Sequence, residues 1–394
     1  MDTKRKAEKT HYVFLKYGAL LLFAIMLAAG CSSSKKALKQ GDYEKATLEA
    51  AQHLRKHPGS KTSQDVLRQA YPMARESALR HIRQAEDSGA SDRYVVAADA
   101  YLRLNELANA IYDSPKAMEI IGQPTRYDRE LRDVRPKAAE QAYALAGQLM
   151  ENGSMRDARR AYILYEKANR FVEGYRDVGR RMAEALDAAT VKVVVKRPAA
   201  DRPFIEPADY FYDRLISQIT ERKHRFVRFY TADDARRAGV SRPDQVLELD
   251  FSSFNVGTMR ESSDVRDVSR DSVRVGTTTV NGQQTDVYGT VRARLIVYRR
   301  EVLCTGTLRV RIVEAGDGRV AESRDFPGRF VWGEEWATYK GDERALTDEQ
   351  RRLTRRSEPS APPTQQELFA AFSRPLLDPA TSFIRQYYRR FAED

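Results

Sequence analysis

Hydrophobic positions change their spacing along the chain, and these changes divide it into three regions. An uncharged apolar run covers 18–30. Apolar residues then recur every three or four positions, which is the period of an amphipathic helix. One such face contains Ala97, Tyr101, Leu104 and Ala108. Farther along the chain, apolar and polar residues alternate in short runs, a pattern typical of strands. The pattern predicts a multidomain protein, with an all-α helical stack over 37–189 and then, over 190–394, an α+β domain with an antiparallel sheet.

Two stretches of the helical region share a spacing of small residues. Gly41 precedes Ala46 by five positions, Gly153 precedes Ala158 by the same interval, and Pro58 follows the first pair. Both stretches resemble the tetratricopeptide (TPR) repeat, in which a glycine ends one helix and a small residue lets two helices approach closely. The resemblance implies a TPR-like stack that docks another polypeptide. The alternatives are a generic helical bundle, or helices that only position the second domain.

Turn residues subdivide the second domain. Asn281-Gly282 between two alternating runs predicts a β-hairpin. The charged, Ser-rich segment 258–270 is predicted to be a mobile loop, and 358–364 a Pro-rich linker before a C-terminal helix. The order of strands and helices at the start of this domain resembles the envelope-lipoprotein domain of penicillin-binding-protein activators.

The first residues combine a basic start, an apolar middle and small residues before a cysteine, which describes a secretory signal peptide. The segment Leu27-Ala28-Ala29-Gly30-Cys31 resembles a bacterial lipobox. The resemblance implies a signal peptide over 1–30, diacylglycerol and a fatty acyl group such as palmitate on Cys31, and a lipid-anchored tether over 31–36. The alternative is an uncleaved anchor with an incidental cysteine.

The residue after Cys31 bears on the compartment. It is Ser32 and not aspartate. By resemblance to the sorting rule of Gram-negative lipoproteins, this implies the outer membrane. The acidic surface-export signal of some Bacteroidota lipoproteins is missing from 32–36, so we expect the chain to face the periplasm.

Alternation along the predicted hairpin separates apolar and basic side chains. The apolar set is Val291, Ala293, Leu295, Val297, Leu308, Val310 and Ile312. The basic set, expected on the other face, is Arg292, Arg294, Arg309 and Arg311. A face of four arginines would suit a cell-wall polymer or an acidic partner. A solvated sheet face explains the same pattern, because antiparallel sheets often have one face in water.

Residues 330–346 contain both tryptophans of the chain and are predicted to form a loop. The candidate ligand or partner residues here are Trp332, Glu335, Trp336 and Tyr339. Aromatic rings beside carboxyl groups suit a glycan- or peptidoglycan-binding site. A glycan or cell-wall hydrolase would draw its acid and base from Glu334, Glu335, Asp342 and Glu343. Packing of the loop over the sheet accounts for the same residues.

Composition narrows the function classes. Charged residues make up 31% of the chain, which excludes a polytopic membrane protein, and the net charge of +11 favours anionic neighbours. No nucleic-acid fingerprint, metal motif, dinucleotide loop or catalytic triad is present, so we expect no nucleic acid partner, cofactor or metal. Cys304 lies in an apolar run and is expected to be a buried, inert thiol.

The leading hypothesis is therefore a non-enzymatic envelope lipoprotein. It would be held in the membrane by acyl chains and would act as a docking scaffold or assembly factor for an envelope protein. The alternatives are a glycan- or peptidoglycan-binding lipoprotein and a cell-wall hydrolase.

Overall fold

A computed structural model of the chain describes residues 33–221, 224–251, 253–280, 283–356 and 358–391. The fold has two compact units, one ending at Ala189 and the other beginning at Thr190. This order, a helical region and then a region with a sheet, agrees with the prediction. The predicted signal peptide, Cys31 and the Asn281-Gly282 turn lie outside the described residues.

The helical unit starts with a helical segment over 33–39. It continues through α1 (Tyr43–Lys56), α2 (Lys61–Asp87), α3 (Arg93–Tyr112), α4 (Pro115–Ile121), α5 (Asp128–Glu151), α6 (Met155–Phe171) and α7 (Val178–Ala189). The side chains of Ser60, Ser114 and Ser154 accept hydrogen bonds from backbone N–H groups at the starts of α2, α4 and α6. These caps satisfy donors that a first helical turn leaves open, and so they set where each helix begins. Helix α1 packs on α2, α2 on α3, α3 on α5, α5 on α6, and α6 on α7.

Small residues allow these helices to pack closely. Ala46 is fully buried and Ala158 is only 4% exposed, as expected for residues at close helix contacts. Gly41 and Gly153 have φ values of 78° and 71°, a left-handed conformation that favours glycine at a helix end. Both glycines therefore end helices as predicted, and both alanines are buried.

The predicted tether over 31–36 is wrong for the residues that the structure describes. Residues 33–36 are helical, and Ser34 is fully buried. The Ser33 hydroxyl donates a hydrogen bond to Oε1 of Glu49 on α1, at 3.0 Å. Serine is small enough to be buried between packed helices, so a Ser/Lys composition does not by itself indicate an extended tether.

The second unit combines a seven-stranded sheet with five α-helices among its described residues. Its strands are β1 (Val191–Val195), β2 (Val227–Thr231), β3 (Gln245–Asp250), β4 (Asn255–Val256), β5 (Arg260–Val280), β6 (Gln283–Glu314) and β7 (Val320–Gly341). Its α-helices are α8 (Ile205–Glu221), α9 (Ala232–Arg237), α10 (Asp348–Thr354), α11 (Gln365–Ser373) and α12 (Leu377–Arg389).

The sheet is mixed, which corrects the predicted antiparallel sheet. Strand β1 pairs in parallel with both β2 and β3, whereas β3, β4, β5 and β7 all pair antiparallel with β6. Helix α8 separates β1 from β2 and α9 separates β2 from β3. A helical crossover returns the chain to the same end of the sheet, so the strands it joins run parallel.

The predicted mobile loop at 258–270 is also wrong, because β5 begins at Arg260 and pairs with β6 over its whole length. Val280 lies opposite Gln283, so the predicted hairpin is confirmed on both sides of its turn. The charged residues of β5 have partners across the strand pair: Glu261 lies 2.6 Å from Arg300. Main-chain pairing tolerates polar side chains where both strands meet water, which explains why composition alone indicated a loop.

Strand β6 buries different faces along its length. Its pairing with β7 is unbroken from Ala293 to Ile312, so residues of odd and even number point to opposite faces. Leu295 is buried on one face, whereas Leu308 and Val310 are buried on the other. We call these the Leu295 face and the Leu308 face.

Separate segments cover the two faces. Leu346 and the partly buried Leu353 of α10 pack on the Leu295 face. Phe372 of α11 and Phe383 of α12 pack on the Leu308 face, where the Phe383 and Phe326 rings are 6.0 Å apart. A capping box of Thr364 with Glu367 begins α11. Segment 358–364 has no helix or strand, as predicted for the Pro-rich linker.

Two paired glycines leave the space in which α11 packs on the sheet. Gly306 on β6 lies directly opposite Gly328 on β7. A Cβ atom on Gly328 would lie 2.6 Å from Cε2 of Phe372, and one on Gly306 would lie 3.0 Å from its Cζ. The missing side chains therefore leave the space that the Phe372 ring occupies.

The buried side chain of Tyr212 makes the stability of the second unit depend on pH. It is 2% exposed, its hydroxyl donates to the carbonyl of Val195 at 2.9 Å, and burial raises its pKa to about 12. Above the unfolded pKa of about 10 the unfolded chain ionises first, so stability falls as pH rises from about 10 to about 12. We expect the free energy of unfolding of wild type to fall between pH 9 and pH 11 by about 1 kcal/mol more than that of Tyr212→Phe, as measured by urea unfolding. Parallel losses in both proteins would contradict this.

Candidate functional site

The four candidate arginines do not share a face of the sheet. Arg292 and Arg294 point to the Leu308 face, whereas Arg309 and Arg311 point to the Leu295 face, because the register of β6 is unbroken between them. This corrects the predicted single arginine face. Each half of β6 alternates between buried and exposed residues, as predicted. The buried residues have odd numbers in the first half and even numbers in the second half.

Three of these arginines form ion pairs. Arg309 binds Asp325 through two bonds of 2.8 and 2.9 Å, and Arg311 lies 2.9 Å from Glu248. Arg294 lies 2.9 Å from Asp267 and lines a shallow cavity of about 600 Å³ with Arg292 and Lys340. Hydrogen bonds from Arg309 and Arg294 lower the pKa values of Asp325 and Asp267. Local carboxylates thus offset much of the charge expected to attract an anion.

The aromatic and acidic candidates are also divided between the faces. The predicted loop at 330–346 is wrong over most of its length, because β7 continues to Gly341 and pairs with β6. Trp332 and Trp336 point to the Leu308 face, and Glu335 and Tyr339 to the Leu295 face. The composition of this segment hid its strand period, since glycine and glutamate are uncommon in strands.

Trp336 is packed into the protein. It is 8% exposed and stacks on Tyr298 with ring centroids 5.3 Å apart, and the Arg300 guanidinium lies 5.2 Å from its ring. Trp332 is half-buried on the same face. Tyr339 is 38% exposed and lines a cavity of about 370 Å³ beside Arg351 of α10. These rings do not combine into one exposed platform.

Three carboxyl groups of this segment accept hydrogen bonds from nearby groups. Glu335 accepts a 2.6 Å hydrogen bond from Nε of Arg299. The side chain and backbone of Ser360 lower the pKa of Glu334, and hydrogen bonding from Arg344 lowers that of Asp342 to about 2. The general acid of a glycosidase needs a raised pKa, so these two groups are not suited to that role.

The helical unit contains a groove along α3 that the sequence did not indicate. One cavity of about 660 Å³ lies between α1 and α3, and a second of about 730 Å³ lies among α3, α5 and α6. Glu106 and Asn109 line both cavities, so the two are adjacent. We call this surface the α3 groove. A polar stripe on α3 was the available signal: Asp99, Arg103 and Glu106 recur at helical spacing on a helix that is otherwise largely buried.

Polar contacts organise the second cavity. Asp99 lies 2.7 Å from Lys167 and 2.6 Å from Arg170, which links α3 to α6. Asn105 accepts from the backbone N–H of Tyr127 at 2.7 Å and donates to Asp128 at 3.1 Å, which holds the start of α5. These contacts fix the floor of the α3 groove.

Arg135 is the least satisfied cation of the α3 groove. Its side chain is half-buried, and among the described residues its buried Nε has no hydrogen-bond partner. The second cavity has five basic and three acidic lining residues. An acidic group entering it would therefore meet a positive bias.

His53 and His57 lie at the open end of the first cavity with ring centroids 4.7 Å apart. Nδ1 of His53 lies 3.1 Å from the Ser63 hydroxyl. Burial, and then the nearby His57, lower the pKa of His53. Over the described ranges no group of three metal-binding side chains occurs.

Comparisons with known proteins do not supply a family. No protein-family model matches the chain, and no curated protein matches it significantly. Among the helices that the structure describes, none is both long and apolar enough to cross a bilayer. Function must therefore be argued from the residues themselves.

Proposed function

We propose that this protein is a lipid-anchored docking scaffold of the bacterial cell envelope. Its anchor is Cys31, its membrane is the outer membrane on the periplasmic side, and its docking element is the helical unit. The α3 groove is the observation that carries the docking role, because two adjacent cavities follow one face of this helix.

The groove suits an extended polypeptide better than a small molecule. Its two cavities together follow α3 from Asp99 to Asp113, a rise of roughly 20 Å. Its walls carry charged and amide groups on several helices, which suits repeated polar contacts along a chain. Arg135 and the excess of bases favour a segment with acidic side chains.

The TPR-like character of the helical unit supports the same role. Gly41 and Gly153 end helices, and Ala46 and Ala158 lie at buried helix contacts. Each major helix packs mainly on its neighbours in the chain. Stacks of this kind present long surfaces to other polypeptides and carry no chemistry of their own.

The glycan-binding and hydrolase alternatives have less support. Glu335 lies on the opposite face from both tryptophans, and Trp336 is covered by Tyr298 and Arg300. The lowered pKa values of Glu334 and Asp342 disfavour acid catalysis. We therefore propose a non-enzymatic role, with the sheet unit as a second contact surface.

A photo-crosslinking amino acid placed at Asn109 tests the docking role in intact cells. Asn109 is exposed and lines both cavities, so we expect one discrete protein adduct from this position. The matched control is Arg83, which is exposed on α2 and lines neither cavity. Equal adducts from both positions, or none from Asn109, would argue against the groove as the docking element.

A further inference from the structure

The fold begins almost directly at the proposed anchor. Ser33 is already helical and bonded to Glu49, and Ser34 is fully buried. One residue separates Ser33 from Cys31. Two Cα–Cα steps span at most about 7.6 Å, so acyl chains on Cys31 would hold this end of the helical unit at the membrane surface.

The surface around Ser33 is basic. Ser33 lines one cavity with Arg55, Lys56 and His57 at the end of α1. Arg55 and Lys56 are exposed, and neither has an ion-pair partner within the part of the chain that the structure describes. Residues 33–61 contain seven Lys or Arg and three Asp or Glu, a net charge of +4.

We call Ser33, Arg55, Lys56 and His57 the basic rim; three acidic residues also line this cavity. Glu49 is half-buried and accepts the Ser33 hydroxyl, while Glu106 and Asp113 belong to α3 and its end. Lys35, Lys36 and Lys39 are exposed on the first helical segment, which contains Ser33.

We infer that this rim, formed by Ser33, Arg55, Lys56 and His57 with the neighbouring lysines, lies against anionic lipid headgroups. The inference rests on the proposed anchor at Cys31, which determines which end of the helical unit meets the bilayer. Lys and Arg side chains near an anionic membrane surface are attracted to it. The first cavity of the α3 groove would then open beside the membrane, and a docked partner would lie close to the bilayer.

The test removes the anchor so that only the surface is measured. Residues 31–394 with Cys31→Ser are sedimented with phosphatidylglycerol–phosphatidylcholine vesicles and with pure phosphatidylcholine vesicles at low salt. We expect binding to the anionic vesicles alone. R55E/K56E should lower the partition coefficient at least tenfold, because four units of charge change at the contact.

The matched control is R80E/R83E, which makes the same change of charge on α2. These positions are exposed and lie roughly 30 Å along α2 from its start beside the basic rim. We expect less than a twofold effect, with circular dichroism confirming that both variants are folded. Equal losses for the two pairs, or no binding of the parent protein to anionic vesicles, would overturn the inference. Failure of the anchor itself would appear separately, as missing lipid on Cys31 in cells.

Discussion

Gly328→Val is expected to lower the free energy of unfolding of the sheet unit by about 3 kcal/mol, as measured by urea denaturation. A Cβ atom at this position would lie 2.6 Å from the Phe372 ring and 3.3 Å from Cδ1 of Leu376. The ring cannot move away easily, because it is fully buried and its centroid lies 4.7 Å from that of Phe254. Interiors this closely packed do not absorb an added side chain without strain.

Gly333→Val is the matched control on the same strand. A Cβ atom there would meet nothing closer than 3.8 Å, and valine suits a strand better than glycine. Gly333→Val should therefore leave stability unchanged or slightly raised. Phe372→Ala alone should cost about 3–5 kcal/mol, and the double variant Gly328→Val/Phe372→Ala should cost less than the two separate losses combined. Additive losses would contradict the proposed packing of Phe372 against Gly328.

Cys31→Ser is expected to abolish incorporation of labelled palmitate. A serine hydroxyl cannot form the thioether that the lipobox resemblance implies, and stable attachment requires two or more acyl chains. The precursor should remain uncleaved at this position, which gives a size shift on a gel.

Cys304→Ser is the control for this experiment. Cys304 is fully buried and burial raises the pKa of its thiol, so it offers no reactive thiolate for modification. We expect normal labelling and membrane retention in this variant. Persistent palmitate labelling in Cys31→Ser would contradict the proposed anchor at Cys31 and the envelope location that depends on it.

The sequence predicted the large divisions of the fold because periodicity reports directly on burial. The helical period ended where the strand period began, and the hairpin signal at Asn281-Gly282 led to paired strands. It did not predict the parallel pairing of β1 with β2 and β3, because pairing direction depends on where crossover helices return the chain.

The candidate sheet surface was misjudged for a related reason. Alternation was read separately in two halves of β6, and each half was correct in itself. Only the continuous register with β7 shows that the buried set changes sides, which separates Arg292 from Arg309. The exchange reflects packing by α10 on one face and α11 on the other, which is tertiary information.

The α3 groove could not be predicted from the sequence, because it forms only when several helices pack together. Arg135 and Lys167 lie on different helices and meet only when α5 and α6 pack beside α3. Sequence spacing placed Asp99, Arg103 and Glu106 on one side of α3, but it could not indicate that neighbouring helices leave that side open.

The most direct test of the docking role is the crosslink yield from Asn109 in two variants of α5. Arg135→Gln removes the half-buried cation whose Nε has no partner among the described residues, and Lys137→Gln removes an exposed cation about 160° away around the same helix. A charge-assisted hydrogen bond contributes about 1.5–3 kcal/mol, so we predict at least a fivefold lower yield for Arg135→Gln and less than a twofold change for Lys137→Gln. Equal yields in both variants and wild type would contradict docking through the α3 groove.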